Sequence, residues 1–283
     1  MSLLERIDRE IVLADGAMGT LLIERGADPG SCLEALCLES PEIVAQIHSD
    51  YATAGAKIIR TNSFRANSLH LGKFRLGHHV NEINWQAAQI ARQAVKGLGV
   101  TVAGSVGPIG DPELSDAEKS ALFRTQIGAL LDGGAQMIFL ETFQDLGELI
   151  LALEVKYSLH HCPAVCSMAF DRSGRLPDGT TIAEAFDELR RNDAEIVGMN
   201  CSNGPSELIA LLKSGIPTEP PLAVLPNACL PELVGGRASY SLTTEDFASA
   251  AVTISSLGPR IIGGCCGTTP AHIAAAAKAL KSI

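Results

Sequence analysis

Two adjacent thiols, Cys265 and Cys266, stand in a glycine frame, Gly263-Gly264-Cys265-Cys266-Gly267-Thr268-Thr269. Neighbouring side chains on an extended strand point to opposite faces, so both thiols can face one point only where the backbone bends. Glycine permits that bend. A disulfide between adjacent residues is strained, which makes a shared metal ion the more natural use of the pair. Two thiolates leave a zinc shell incomplete, so a third ligand must come from elsewhere in the chain.

Where that ligand lies depends on the elements that position the pair. Apolar runs recur at 11–14, 57–60, 100–104, 137–140, 164–168, 196–199, 222–225 and 260–263. They are continuous rather than alternating, as expected of strands buried on both faces of a parallel sheet. Helical patterns fall between them. The first, 41–54, has Ser40 as N-cap and proline at its first position. Others cover 81–98, 115–133 with a Ser-Asp-Ala-Glu capping box, 145–159, 181–191, 206–214, 244–256 and 270–280. Eight strand–helix units predict an α/β fold, a (β/α)8 TIM barrel forming one domain over residues 1–283. An open doubly wound sheet is the alternative.

A barrel places chemistry at the C-terminal ends of its strands. Those ends carry Asp15-Gly16-Ala17-Met18-Gly19-Thr20, Thr61-Asn62-Ser63-Phe64, Ser105-Val106-Gly107-Pro108, Glu141-Thr142-Phe143, Asn200-Cys201-Ser202 and Pro226-Asn227-Ala228-Cys229. Cys201 ends the sixth run and the cysteine pair ends the eighth, so all three meet at one rim. Three thiolates with one open position describe a catalytic zinc site. The open position suits a substrate thiol, because zinc deprotonates a coordinating thiol outright. A free thiol, with a pKa of about 8.5, is mostly protonated at neutral pH. The expected chemistry is activation of a thiol as a nucleophile, with Cys201, Cys265 and Cys266 carrying it.

The chain has 283 residues and a net charge of -10, which disfavours nucleic acid and anionic membrane surfaces as partners. No run approaches the roughly 18 apolar residues of a membrane helix. With no secretory apolar segment at the start, the chain reads as cytoplasmic. Its eight cysteines are too sparse for a disulfide framework. Cys32, Cys37, Cys162 and Cys166 read as small buried hydrophobes. His78-His79 and His160-His161 fall in loops or helix ends and read as solvated.

The motifs Asp15–Thr20, Thr61–Phe64, Gly104–Pro108, Glu141–Phe143, Asn200–Ser202 and Gly263–Pro270 resemble those of the homocysteine S-methyltransferase family, in order and across the whole chain. Pro226–Leu233 and Gly267–Ile273 are most similar to the homocysteine-binding module of cobalamin-dependent methionine synthase. The resemblance implies Zn2+ held by Cys201, Cys265 and Cys266, with homocysteine sulfur as fourth ligand. It implies that Asn227 can fill that position when substrate is absent, and that Glu141 accepts hydrogen bonds from the substrate ammonium. Asp15 and the backbone at Gly16, Ala17 and Met18 would complete the amino-acid pocket, with Ser105 and Asn200 as further substrate contacts. Two positions depart from the family's pattern. Cys229 stands where glycine is common, and Arg60 stands where an acidic residue is common.

The implied reaction is methyl transfer to the thiol of L-homocysteine, giving methionine. The implied donor is a methylcorrinoid and methyltetrahydrofolate system, with methylcobalamin carried by a partner domain or protein. Alternatives are direct transfer from betaine or S-methylmethionine, a different acceptor thiol, and a non-catalytic zinc- or thiol-binding module.

Overall fold

Eight parallel strands run in the order of the chain: Val12–Leu13, Ile58–Arg60, Thr101–Val106, Met137–Phe143, Ala164–Met168, Ile196–Asn200, Leu222–Leu225 and Ile261–Ile262. Below they are called the first to the eighth strand. Each pairs with its sequence neighbours, and the eighth returns to the first through Val12–Ile261 and Leu13–Ile262. The seam between the first and second strands is closed by a single parallel bridge, Ala14–Ile58. The computed structural model describes residues 3–282 except 202, 220, 230, 231, 235 and 236, with backbone only at 232–234 and 237–239. Ser202, Leu230 and Pro231, which belong to the motifs above, lie outside the described residues.

This is the (β/α)8 barrel that the apolar runs predict. Helices cover the outside, chief among them Pro41–Ala54, Val80–Ala94, Asp116–Asp132, Leu146–Leu159, Ile182–Arg191, Pro205–Lys213, Thr244–Ser256 and Pro270–Leu280. Local chemistry fixes their ends. Ser115 with Glu118 and Thr181 with Glu184 form reciprocal capping boxes. Before Pro270, His272 Nδ1 accepts from the Thr269 N–H at 3.1 Å while Nε2 donates to the Leu242 carbonyl at 3.0 Å, which sets its tautomer. Ser40 does precede Pro41, yet its side chain makes no capping bond. Its backbone carbonyl instead accepts from Ile43 N–H.

Burial on both strand faces gives two apolar clusters. The outward residues, such as Leu13, Ile59, Val102, Ile138, Cys166, Val197 and Val224, pack under the helices. The inward residues fill the barrel: Val12, Ile58, Met137, Phe139, Val165, Ile196, Ala223 and Ile261. A short helix, Leu3–Ile7, closes the bottom by driving Ile7 into that inner cluster. Each large aliphatic side chain removed from water in this way contributes roughly 1.5–3 kcal/mol. At the top, the loop after the seventh strand forms a hairpin, Glu232–Val234 against Arg237–Ser239, that the apolar pattern does not predict.

Candidate metal and acceptor site

The inward parity continues past the apolar layers. Two residues beyond Ile58, Phe139 and the Gly198 backbone, the same faces present Arg60, Glu141 and Asn200, all buried. The fourth strand carries a bulge between Leu140 and Phe143, where Thr142 takes φ 65°. A β-branched residue in left-handed backbone is strained, and such strain persists only where its surroundings hold it. Here they do. The Thr142 N–H donates to Asn200 Oδ1 at 2.9 Å, and Asn200 Nδ2 donates to Thr142 Oγ1 at 2.7 Å.

The three expected cysteines converge. Their sulfurs lie within 4.8 Å of one another, with Cys201 and Cys266 3.9 Å apart. Cys201 follows the sixth strand with φ 61°, a left-handed kink that turns its thiol back over the rim. Cys265 and Cys266 occupy the first half of a tight turn closed by Thr268 N–H on the Cys265 carbonyl at 3.1 Å. Gly267, third in that turn, has φ 78°, the sign that a type II turn requires there. Gly264 has no room for a side chain, since a Cβ would come within 2.2 Å of Thr268 Oγ1. The glycine frame thus folds the pair so that both thiols face Cys201.

Neighbouring groups hold this turn. Asn227 Oδ1 accepts from the Cys266 N–H at 3.0 Å, and the Cys265 N–H donates to the Pro226 carbonyl at 2.8 Å. Asn200 is fully engaged: Ser167 Oγ donates to its Oδ1 at 2.7 Å, and its Nδ2 also reaches Cys265 Sγ at 3.8 Å. Thr268 Oγ1 donates to the Cys265 carbonyl at 2.7 Å, and Tyr51 Oη lies 2.9 Å from the carbonyls of Ala17 and Thr268.

Crowding opposes the ionisation of Cys265 and Cys266. The hydrogen bond with Cys201 is the largest reason that Cys265 is pushed up to about 11, and bonds with Cys201 and Cys265 push Cys266 up further. A soft divalent cation reverses this preference, because it binds the thiolate form. A three-sulfur donor set on one rim fits a zinc-like metal with a fourth position left for a ligand. By contrast Cys37 and Cys166 are fully buried, and that burial pushes both up to about 12, the state of inert structural thiols. Cys229 lies beyond the triad with φ 68°, a backbone suited to glycine.

The expected acceptor residues Asp15 and Glu141 converge on Arg60, the departure from the family's pattern, and Ser105 joins them through Glu141. Arg60 Nε donates to Asp15 Oδ1 at 2.7 Å, and Nη1 donates to Glu141 Oε2 at 2.6 Å. Nη2 donates to the carbonyls of Gly16 at 3.0 Å and Gly264 at 2.8 Å. The Arg60 N–H donates to Asp15 Oδ2 at 2.8 Å, and Ser105 Oγ donates to Glu141 Oε1 at 2.6 Å. Burial raises Asp15 to about 6 against the pull of Arg60, and burial likewise raises Glu141. Burial alone would lower Arg60, but Glu141, Asp15 and Cys265 outweigh it and hold the guanidinium charged. Of the expected backbone contacts, the Ala17 N–H already donates to Thr268, and Met18 opens a short helix, Met18–Glu24.

Comparison with known proteins matches this arrangement to a family. Residues 12–280 match the model of the homocysteine S-methyltransferases. Methionine synthase of Mycobacterium tuberculosis is 32% identical over 306 positions, covering 99% of this chain and 25% of the relative. That of Mycobacterium leprae is 31% identical, covering 98% and 25%. The chain therefore spans about a quarter of the length of these curated relatives. The homocysteine methyltransferase MmuM of Escherichia coli, in its metallated form, is 29% identical with TM-score 0.81, covering 96% of this chain and 97% of that one. The barrel, the order of the motifs and these matches agree: the chain belongs to the homocysteine S-methyltransferase family.

Proposed function

We propose that this chain transfers a methyl group to the sulfur of L-homocysteine, giving methionine, with zinc held by Cys201, Cys265 and Cys266. The observation that carries the reading is the meeting of three thiols on the same rim as the Asp15–Arg60–Glu141 cluster. A storage or redox site needs the sulfurs but not a charged pocket beside them. Zinc bound there would favour the acceptor's thiolate at neutral pH.

The chain's own residues then have distinct tasks. Asn200, pinned by Ser167 and Thr142, aims an N–H at Cys265 Sγ and so fixes the direction of that thiolate. Asn227 and Thr268 hold the turn that presents the pair. Asn227 also stands close enough to Cys266 to be the candidate for the fourth ligand position before the acceptor enters. Glu141 and Asp15 face the acceptor's amino group through lone pairs that Arg60 and Ser105 leave over, and the Gly16–Met18 turn borders its carboxylate. Holding the sulfur in one direction is what allows in-line attack on a methyl donor.

The first reading of the donor is a methylcorrinoid and methyltetrahydrofolate system carried by a partner module or protein, and the match to relatives named methionine synthase is what favours it. A direct donor such as S-methylmethionine or betaine is the second reading. It is favoured by MmuM, a homocysteine methyltransferase whose whole length this chain matches. The test is methionine formation by the zinc-loaded protein with methylcobalamin, methyltetrahydrofolate plus cobalamin, betaine and S-methylmethionine in parallel. Turnover with one of them assigns the donor. Zinc binding without turnover on any donor overturns the methyltransferase reading and leaves a zinc-binding module.

A further inference from the structure

Beside the metal loop, two carboxylates have one cation buried between them. All four carboxylate oxygens of Asp15 and Glu141 already have a donor from the chain: Arg60 Nε, the Arg60 backbone N–H, Arg60 Nη1 and Ser105 Oγ. Arg60 is 7% exposed, and its guanidinium lies 5.5 Å from the centre of the Phe139 ring. Its charge is therefore screened by neither bulk water nor salt. Two anions and one cation leave the wall with a single net negative charge.

We propose that Arg60 is a specificity-determining residue for the acceptor: by supplying a cation to the carboxylate wall, it lets the site take thiols that lack an amino group, such as ω-mercapto acids, alongside amino-acid thiols. This rests on the thiol-acceptor reading above and names the acceptor class more closely. Two buried carboxylates without a cation would demand one from the ligand, because an acceptor lacking it would leave two like charges uncompensated. With the guanidinium built in, compensation is present before anything binds. An acceptor ammonium then gains only the attraction of the one remaining charge. Arginine suits the role where lysine would not. Its planar fork reaches Asp15, Glu141 and the Gly264 carbonyl at once, and so also sets the distance between the wall and Cys265.

The test uses the cobalt-substituted protein, in which thiol ligation is read directly from thiolate-to-cobalt charge-transfer absorption. Affinities for L-homocysteine and 4-mercaptobutanoate are measured on the wild type, Arg60→Gln and Arg60→Lys. The wild type is expected to prefer homocysteine by no more than about tenfold. Arg60→Gln is expected to widen that preference by about ten- to a hundredfold, and Arg60→Lys, which keeps a charge, by less. The ratio within one protein is its own control for a general loss of fold or metal. A wild-type preference above about tenfold, or a widening below about threefold in Arg60→Gln, overturns the proposal. If Arg60→Gln fails to fold, the wild-type ratio and Arg60→Lys decide. Ligation needs no methyl donor, so absence of methyl transfer would overturn the enzymatic reading alone. Failure of both thiols to ligate would overturn the thiol-acceptor reading, and this inference with it.

Discussion

The lower and upper halves of the barrel interior are built by the same strands with the same inward parity, yet they answer to different physics. Below, Val12, Ile58, Met137, Val165, Ile196 and Ile261 pack against one another and against Ile7. Above, Arg60, Ser105, Glu141, Ser167 and Asn200 meet through directed hydrogen bonds. The lower half gains free energy from every methylene removed from water, so almost any well-fitting apolar set would serve. The upper half gains little net stability, because its desolvation cost offsets much of its pairing. What it gains is direction: each donor and acceptor has one place to go. Stability and function are thus separated along the strands rather than between domains.

Four measurements test that separation. The largest effect is expected at the top. Cys265→Ala should abolish stoichiometric metal binding and reduce methyl transfer by at least about a thousandfold, with an unchanged far-ultraviolet circular dichroism spectrum. Global unfolding would instead make the metal structural and erase the distinction. Next comes the bottom. Ile196→Ala, at a fully buried inner position, should destabilise the fold by about 2–5 kcal/mol in denaturant titrations. Its metal stoichiometry should stay at the wild-type value, and a lost metal would show that the halves are coupled.

A smaller effect concerns pH. Asp15 is raised by burial from 3.8 to about 6 in the folded chain. A raised carboxyl holds its proton more tightly when folded, so its contribution to stability is full below about 3.8 and is lost as pH rises through about 6. Asp15→Asn removes this dependence. The wild-type minus variant unfolding free energy should therefore fall between about pH 4 and 6 and level off above about pH 7. A flat difference would mean that Arg60 outweighs burial there. The smallest effect lies just outside the triad. Cys229→Gly relieves a left-handed cysteine and should stabilise the fold by about 0.5–1 kcal/mol. A loss of metal from that variant would bring Cys229 into the site.

The lower half was almost wholly legible in the sequence, because continuous apolar runs record burial on both strand faces. The runs fell short where strands extend into polar residues, as in the third strand through Ser105 and the fourth through Glu141 and Thr142. Hydropathy does not register a strand that carries charge inward. The strand pair 232–234 and 237–239 escaped for a different reason: each strand is only three residues long, too short for a hydropathy period to show. In the upper half, the cysteines were legible because two rare side chains in a glycine frame have few other uses. Arg60 was visible as an oddity but not as a link. Its partners Asp15 and Glu141 lie 45 and 81 residues away, and no local spacing records contacts that only barrel closure creates. Tyr51 stayed hidden, and Thr268 stood in the cysteine motif without a role, since side chains that bond backbone carbonyls leave no mark of that bond in the sequence.

The seam of the barrel has one more consequence. Between the first and second strands the main-chain rungs are Lys57 N–H on the Leu13 carbonyl and Asp15 N–H on the Ile58 carbonyl. The next rung up, from the Arg60 N–H, ends on the Asp15 carboxylate instead of a carbonyl. A side chain can let go where a peptide group cannot. Exchange of that single amide hydrogen with deuterated solvent would therefore run as a clock on the pocket, quickening whenever a proton or an incoming ligand draws the carboxylate away, while its neighbours along the strand keep time with the whole fold.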